Sequence, residues 1–106
     1  MTTTPQQLAD QGKQAFIAKK YDQAASSFTE AASAYEALDD ALNAAEMKNN
    51  LSVTLLQAGQ AQAAYDAVAG TDEVFAQAGD VKRQAMAFGN LAAALEALKK
   101  TPPTDD

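Results

Sequence analysis

Apolar and small residues along this chain recur every three or four positions, which is the spacing of one face of an α-helix. The clearest example lies near the end, where Phe88, Leu91, Leu95 and Leu98 follow one another at helical intervals. Strict alternation of apolar and polar residues, the pattern of a half-buried strand, runs for no more than a few positions. The pattern therefore predicts an all-α chain.

Residues that favour helix ends divide this pattern into five predicted helices. Thr4 suits an N-cap, Gly59 suits a C-terminus, and Asp40 and Asp80 can each cap the helix that follows. Gly70 marks the point at which the fourth helix would be interrupted, if it is interrupted at all. The predicted helices span 5–19, 21–38, 41–58, 60–78 and 81–100.

The sequence repeats itself at an interval of 40 residues, so that 46–59 corresponds to 86–99. The two stretches, EMKNNLSVTLLQAG and MAFGNLAAALEALK, share an Asn-Leu pair followed by a second leucine. Such a period is typical of stacked helical hairpins, because one hairpin cannot bury its own apolar face. We therefore expect a single domain that consists of units 5–40 and 41–80, a final helix 81–100 and a polar tail 101–106.

The segment GKQAFIAKKYDQAASSFTEA at 12–31 resembles a tetratricopeptide repeat. The matching residues are the small Gly12, the aromatic Phe16, Tyr21 at the corner between two helices, and Ala24, Phe28 and Ala31. The period here, about 40 residues, is longer than the period of roughly 34 that is usual in that family, so the chain resembles a variant with longer helices. This resemblance implies a right-handed stack of antiparallel hairpins, with five helices in two and a half repeats.

The resemblance also implies a function, because tetratricopeptide stacks hold peptides or partner helices in a concave groove. By motif position, the groove residues of this chain are Lys13, Phe16, Ile17, Asn49, Asn50, Val53, Leu56 and Gln57. The apolar members would form a floor, and the amides suit a peptide backbone because each supplies donors and an acceptor. We therefore expect a non-enzymatic interaction module whose partner is a protein or peptide.

The composition argues against several other functions. The chain has no cysteine and no histidine, which removes disulfides, the commonest metal ligands and the commonest general base. Its net charge of −6 disfavours nucleic acid, whose affinity comes mostly from phosphate neutralisation. No apolar run approaches the ~18 residues of a membrane span, and no signal-peptide pattern is present at the N-terminus. We expect a cytoplasmic protein with no catalytic residues, metal, cofactor, nucleic-acid partner or membrane partner.

Basic and acidic residues are segregated between the predicted helices. All the bases lie in or at the ends of the first, third and fifth helices, whereas 21–40 and 61–80 carry acids and no base. Two interpretations stay open. The two sets of helices simply carry different solvated faces, or the groove prefers a ligand with negative charge.

The alternative to a binding module is a structural role, as a self-associating segment or a piece of a longer repeat array. The leucine-rich stripe of 81–100 is expected to pack back on the second unit. Ala87 and Ala94 would then lie on an uncovered edge, because Pro102 and Pro103 interrupt the helical pattern. The expectation is a homodimer through 81–100, with contacts from Ala87, Ala94, Leu95 and Leu98.

Overall fold

The computed structural model describes residues 3–100 and shows six helices and no strand within that range. The helices are α1 (Pro5–Ile17), α2 (Tyr21–Ala37), α3 (Ala41–Gln57), α4 (Ala61–Val68), α5 (Thr71–Gln77) and α6 (Val81–Lys100). The prediction of an all-α chain is confirmed, and all predicted helices except the fourth end within two residues of the observed bounds. The predicted tail, 101–106, lies outside the described residues.

Two apolar cores hold the helices together. The first core lies among α1, α2 and α3 and includes Phe28, Tyr35 and Met47. The second lies among α3, α4, α5 and α6 and includes Val68 and Phe75. α2 packs on α1 and α3, α3 packs on α4 and α5, and α6 packs on α3, α4 and α5. The right-handed superhelix that the tetratricopeptide resemblance implies stays a prediction.

The same corner recurs at four evenly spaced places along the chain and separates the helices. At each corner one residue has a positive φ angle, and these residues are Lys19 (62°), Asp39 (58°), Gly59 (81°) and Gly79 (73°). The amide of the next residue donates to the carbonyl five residues earlier, at 2.8–2.9 Å in all four cases. This is the bond of a Schellman C-cap, which ends a helix and turns the chain back. Two such corners make up one period of the sequence repeat.

Side-chain caps start three of the helices at the positions that the sequence predicts. The Oδ1 atom of Asp40 accepts from the Asn43 amide at 3.2 Å, and that of Asp80 accepts from the Arg83 amide at 3.0 Å. At α1, the hydroxyl of Thr4 accepts from the Gln7 amide at 3.1 Å in a reciprocal capping box. Each cap satisfies an amide that has no partner within the helix.

The predicted fourth helix is in fact two helices, α4 and α5, with a break at Gly70. Gly70 has a φ of 89°, which favours glycine and cannot continue a helix. On the far side, the hydroxyl of Thr71 donates to the Val68 carbonyl at 2.8 Å and lies 3.3 Å from Oδ1 of Asn49 on α3. These buried bonds fix the break against α3, because a buried hydroxyl without a partner is costly.

The side of α6 that faces the protein is rotated from the predicted one, toward Ala87 and Ala94. Ala87 and Ala94 are 2% and 0% exposed, whereas Phe88 and Leu95 are 50% and 46% exposed. The prediction that Ala87 and Ala94 lie on an uncovered edge is therefore wrong. Leu91 and Leu98 are half-buried. The small side chains face inward because alanine lets α6 approach the second core closely.

The predicted core residues differ in how deeply they are buried. Phe28 is 3% exposed, as expected for a core residue. The sequence predicts Leu51 as a core residue as well, but it is only partly buried and packs on the edge of the first core. The difference arises because Phe28 lies on α2, between α1 and α3, whereas one side of α3 is exposed to solvent.

Arg83 fastens the start of α6 to α3. Its guanidinium contacts Oδ2 of Asp80 at 2.7 Å and Oε1 of Glu46 on α3 at 3.2 Å. The bond from the Arg83 amide, followed by the one from its guanidinium, lowers the pKa of Asp80. The bond to Asp80 in turn raises the pKa of Arg83. Both side chains therefore stay charged at neutral pH.

Asp39→Gly is expected to raise the free energy of unfolding by about 0.5–1 kcal/mol, because glycine adopts a positive φ without steric cost. Lys19→Gly should act in the same way. Ala18→Gly is the matched control, since Ala18 ends a helix with a φ of −78° and gains nothing from glycine. Urea unfolding measures all three. Equal losses of stability in Asp39→Gly and Ala18→Gly would contradict this account of the corner.

Asp80→Asn is expected to weaken the acid dependence of stability. The pKa of Asp80 is lowered in the folded state. Its ionised carboxylate therefore makes its full contribution to the free energy of unfolding above the ordinary aspartate pKa of about 3.9, and this contribution is lost as the pH falls below that value. Asparagine can still cap α6 but does not ionise. Chemical unfolding from neutral to acid pH should show a shallower decline for Asp80→Asn, and also for Arg83→Gln. A decline as steep as in the unchanged chain would refute the role given to this pair.

Candidate functional site

α1 and α3 are separated by a groove, although both pack on α2. By contrast, α3 and α6 pack directly on each other. The sequence repeat places Met47 and Thr54 of α3 at the positions of Ala87 and Ala94 in α6. All four side chains are buried. We attribute the wider gap beside α1 to the larger pair, because bulkier side chains hold neighbouring helices farther apart.

The groove contains a cavity of about 310 Å³ with a mostly apolar lining. Its lining residues are Lys13, Phe16 and Ile17 of α1, Phe28 of α2, and Asn50, Val53 and Thr54 of α3. We call this set the α1–α3 groove. The volume is at the lower end of the roughly 300–1,000 Å³ that ligand pockets occupy, and it is enough for one bulky apolar side chain.

Phe28 forms the floor of the cavity and also belongs to the first core. Its ring lies against Gly12 of α1, so closely that a Cβ atom on Gly12 would come within 2.7 Å of two ring carbons. Glycine is therefore required there for α1 to pack on α2. The position of the floor follows from this packing and needs no ligand.

The wall on α1 is formed by two neighbouring residues with different surroundings. The Phe16 ring makes an edge-to-face contact with Tyr21, with centroids 5.6 Å apart and planes at 64°. This contact fixes Phe16 at the end of its helix. Ile17 is 79% exposed and is the last residue of α1. An exposed isoleucine is ordinary when isolated, but here it extends an apolar cavity into a larger apolar surface.

Two polar groups remain at the edges of the cavity. Lys13 is exposed on α1, and Asn50 is half-buried on α3. The hydroxyl of Thr54 donates to the Asn50 carbonyl at 2.8 Å and is satisfied within its own helix. Throughout the described residues, no buried side-chain nitrogen or oxygen lacks a hydrogen-bond partner. The site can therefore recognise a ligand by shape and apolar contact, with one ammonium and one amide to orient it.

Five of the eight predicted groove residues line this cavity, and three do not. Asn49 is 5% exposed, its Oδ1 lies 3.3 Å from the Thr71 hydroxyl, and it does not line the cavity. Leu56 is half-buried and lies outside the lining, and Gln57 borders a separate depression beside Lys20. On a helix, the face of Asn50 continues at positions 53 and 54, whereas 49 and 56 share a face rotated away from it.

Two lining residues, Phe28 and Thr54, were not predicted as part of the groove. Thr54 lies four positions after Asn50, so helical spacing alone could have identified it. Phe28 has the sequence signature of a core residue, and it is one. No sequence signal shows that a core ring also forms the floor of a cavity.

The described residues offer little for catalysis or metal binding. Burial, with Asp40 as the next cause, raises the pKa of the Tyr35 hydroxyl, which therefore stays protonated at neutral pH. The acidic cluster near 36–40 is used internally, since Glu36 pairs with Lys48 at 2.8 Å and Asp40 caps α3. In residues 3–100, no group of three acidic side chains is placed to hold a metal ion.

Comparison with known proteins adds no relative. No protein-family model, curated protein or solved structure matches the chain. The tetratricopeptide assignment therefore rests on the residues of the motif and stays a prediction. None of the helices described between residues 3 and 100 is both long enough and apolar enough to cross a membrane.

Proposed function

We propose that this protein is a cytoplasmic, non-enzymatic interaction module that binds a peptide or helix of a partner protein in the α1–α3 groove. The observation that carries the proposal is the apolar cavity on Phe28, with Ile17 exposed beside it. The tetratricopeptide resemblance supports the same function, because it assigns these positions of α1 and α3 to a binding groove.

The lining indicates what kind of segment fits. A bulky aliphatic or aromatic side chain would fill the cavity above Phe28 and exclude water from its walls. A neighbouring apolar residue would cover Ile17. The Asn50 amide could bind the peptide backbone, and Lys13 favours a segment with a nearby carboxylate. We therefore infer a short partner segment with one or two apolar anchors and at least one acidic residue.

An enzymatic role has less support. A hydrolytic or transfer reaction needs a nucleophile, or an acid and a base, within hydrogen-bonding reach of each other. The polar groups of the groove are the ammonium of Lys13, the amide of Asn50 and the satisfied hydroxyl of Thr54. None of these forms a coupled pair, whereas all of them are compatible with holding a peptide.

The proposal predicts that Ile17→Glu weakens binding to peptides selected on the unchanged protein. A displayed library of random peptides is first selected on the unchanged protein, and calorimetry then measures the affinity of the enriched peptides. The enriched peptides should carry a bulky apolar residue near an acidic one. Ile17→Glu should weaken their binding by roughly tenfold or more, since it removes apolar contact and adds a like charge.

Leu38→Glu is the matched control for this experiment. Leu38 is 66% exposed at the end of α2, so the change is chemically equivalent, but Leu38 is not part of the groove. Its affinity should equal that of the unchanged protein. Amide shifts on binding should centre on 13–17 and 50–54. Shifts confined to 22–38 and 61–78, or equal losses in both variants, would refute groove binding.

A further inference from the structure

α6 exposes an apolar strip on the side that faces away from the second core. Its residues are Ala85, Phe88, Ala92 and Leu95, all of which are exposed. We call this strip the outer face of α6. The side chains of Phe88 and Leu95 are about half exposed, at 50% and 46%. A strip of this kind is typical of an interaction surface.

The sequence repeat shows that two positions of this face are buried where they recur in α3. The residues of α3 that correspond to Ala85 and Ala92 are Ala45 and Ser52. They are 3% and 2% exposed, and Ser52 donates to the carbonyl of Ala64 on α4 at 2.7 Å. At these two positions, therefore, the face of α3 is covered by neighbouring helices, whereas the equivalent positions of α6 are exposed.

The spacing of the outer face is that of a coiled-coil seam. Its four residues are separated by three, four and three positions, and the strip runs for about 15 Å at roughly 1.5 Å per residue. Small and large side chains alternate along it. Such a strip fits best against one with the reverse order, because each large side chain then meets a small one.

Read from its other end, the outer face has the reverse order of small and large side chains. Two antiparallel copies of it therefore have the matching orders. When two copies of α6 run antiparallel about a two-fold axis level with Asn90, Ala85 lies opposite Leu95 of the second copy. Phe88 then lies opposite Ala92 of the second copy, and symmetry repeats both layers. Every layer combines a large and a small side chain. This is the isologous contact that a two-fold dimer requires.

The charges beside the strip fit the same arrangement. Lys82 and Glu96 are exposed and lie along one flank of the outer face. In the antiparallel pair each Lys82 lies near Glu96 of the second copy. Within its own chain, Oε2 of Glu96 lies 4.0 Å from Nζ of Lys100, which is a long contact between two exposed side chains. Gly89 lies on this flank at the axis, where an added Cβ would meet nothing within 4 Å of its own chain.

We propose that the outer face of α6 binds the same face of a second copy of this chain, in an antiparallel two-fold dimer. This contact uses Ala85, Phe88, Ala92 and Leu95, and not the buried Ala87 and Ala94 that the sequence suggested. It is independent of the α1–α3 groove, which lies on other helices. Either proposal can therefore fail without the other.

Sedimentation equilibrium tests the contact directly. The unchanged protein is expected to form dimers, and Phe88→Glu is expected to weaken the dimer by roughly tenfold or more, because it buries a carboxylate in two layers of the seam. Leu38→Glu, a comparably exposed change at the end of α2, should sediment like the unchanged protein. A chain that is monomeric at ~100 µM, or a dimer indifferent to Phe88→Glu, overturns the proposal.

Charge reversal keeps the test decisive even if Phe88→Glu should fail to fold. Lys82→Glu alone and Glu96→Lys alone each place like charges together and should weaken the dimer. The double variant Lys82→Glu with Glu96→Lys should restore it, because both reversed pairs are again opposite in charge. These side chains are exposed, so the fold is not at risk. Purely additive losses in the double variant would rule out this pairing.

Because the chain has no cysteine, disulfide trapping can establish the orientation. Lys82→Cys and Glu96→Cys chains are oxidised separately and then as a mixture. The antiparallel dimer predicts a disulfide-linked dimer in the mixture and little in either chain alone. Efficient linkage of Lys82→Cys to itself would contradict the proposed antiparallel dimer.

Discussion

The contact between the Phe28 ring and Gly12 is the packing constraint on which the site depends. Phe28 is 3% exposed, and its ring occupies the space where any other residue at position 12 would carry a Cβ. This contact fixes how closely α1 can lie on α2. It thereby also fixes the end of α1, where Phe16 and Ile17 form one wall of the cavity. Core packing and the candidate binding surface thus share one side chain.

The rest of the architecture follows from the corner that recurs at even intervals along the chain. The corners are evenly spaced, and each has a positive φ and the same backbone hydrogen bond, so each segment ends in the same kind of turn. The extra break at Gly70 is held by the bond between Thr71 and Asn49. That bond joins α5 to α3 and takes Asn49 away from the groove. A residue that the repeat pattern assigns to binding is therefore used for folding.

Much of the fold could be predicted from the sequence because its signals are local. Asp40 and Asp80 cap helices through their own neighbouring amides, and Gly59 adopts a positive φ in its own corner. The face that a helix turns inward is a different matter. In α6 the large residues suggested one side, but Ala87 and Ala94 face the core because close packing between helices favours small side chains there. Such a preference depends on distances between helices, which a one-dimensional pattern does not contain.

The candidate site, like the fold, could be predicted only in part from the sequence. Lys13 of α1 and Asn50 and Val53 of α3 could be placed in the groove by the repeat motif, because each occupies a position that the motif assigns to the groove. We attribute the separation of α1 and α3 to the bulk of Met47 and Thr54 at the equivalent positions of α3. No local signal reports this separation. The inward direction of Asn49 likewise depends on Thr71, a residue of a different helix.

The most direct test of the central constraint is the free energy of unfolding of Gly12→Ala. In an ordinary exposed helix this change stabilises by about 1 kcal/mol, and Gly89→Ala, where nothing lies within 4 Å, should show that gain. Both changes are made in the Phe88→Glu chain, so that self-association does not contribute. We predict that Gly12→Ala instead destabilises by about 1–3 kcal/mol through overpacking, and that Phe28→Leu in the same chain removes part of that loss. A gain in stability equal to that of Gly89→Ala would contradict the account.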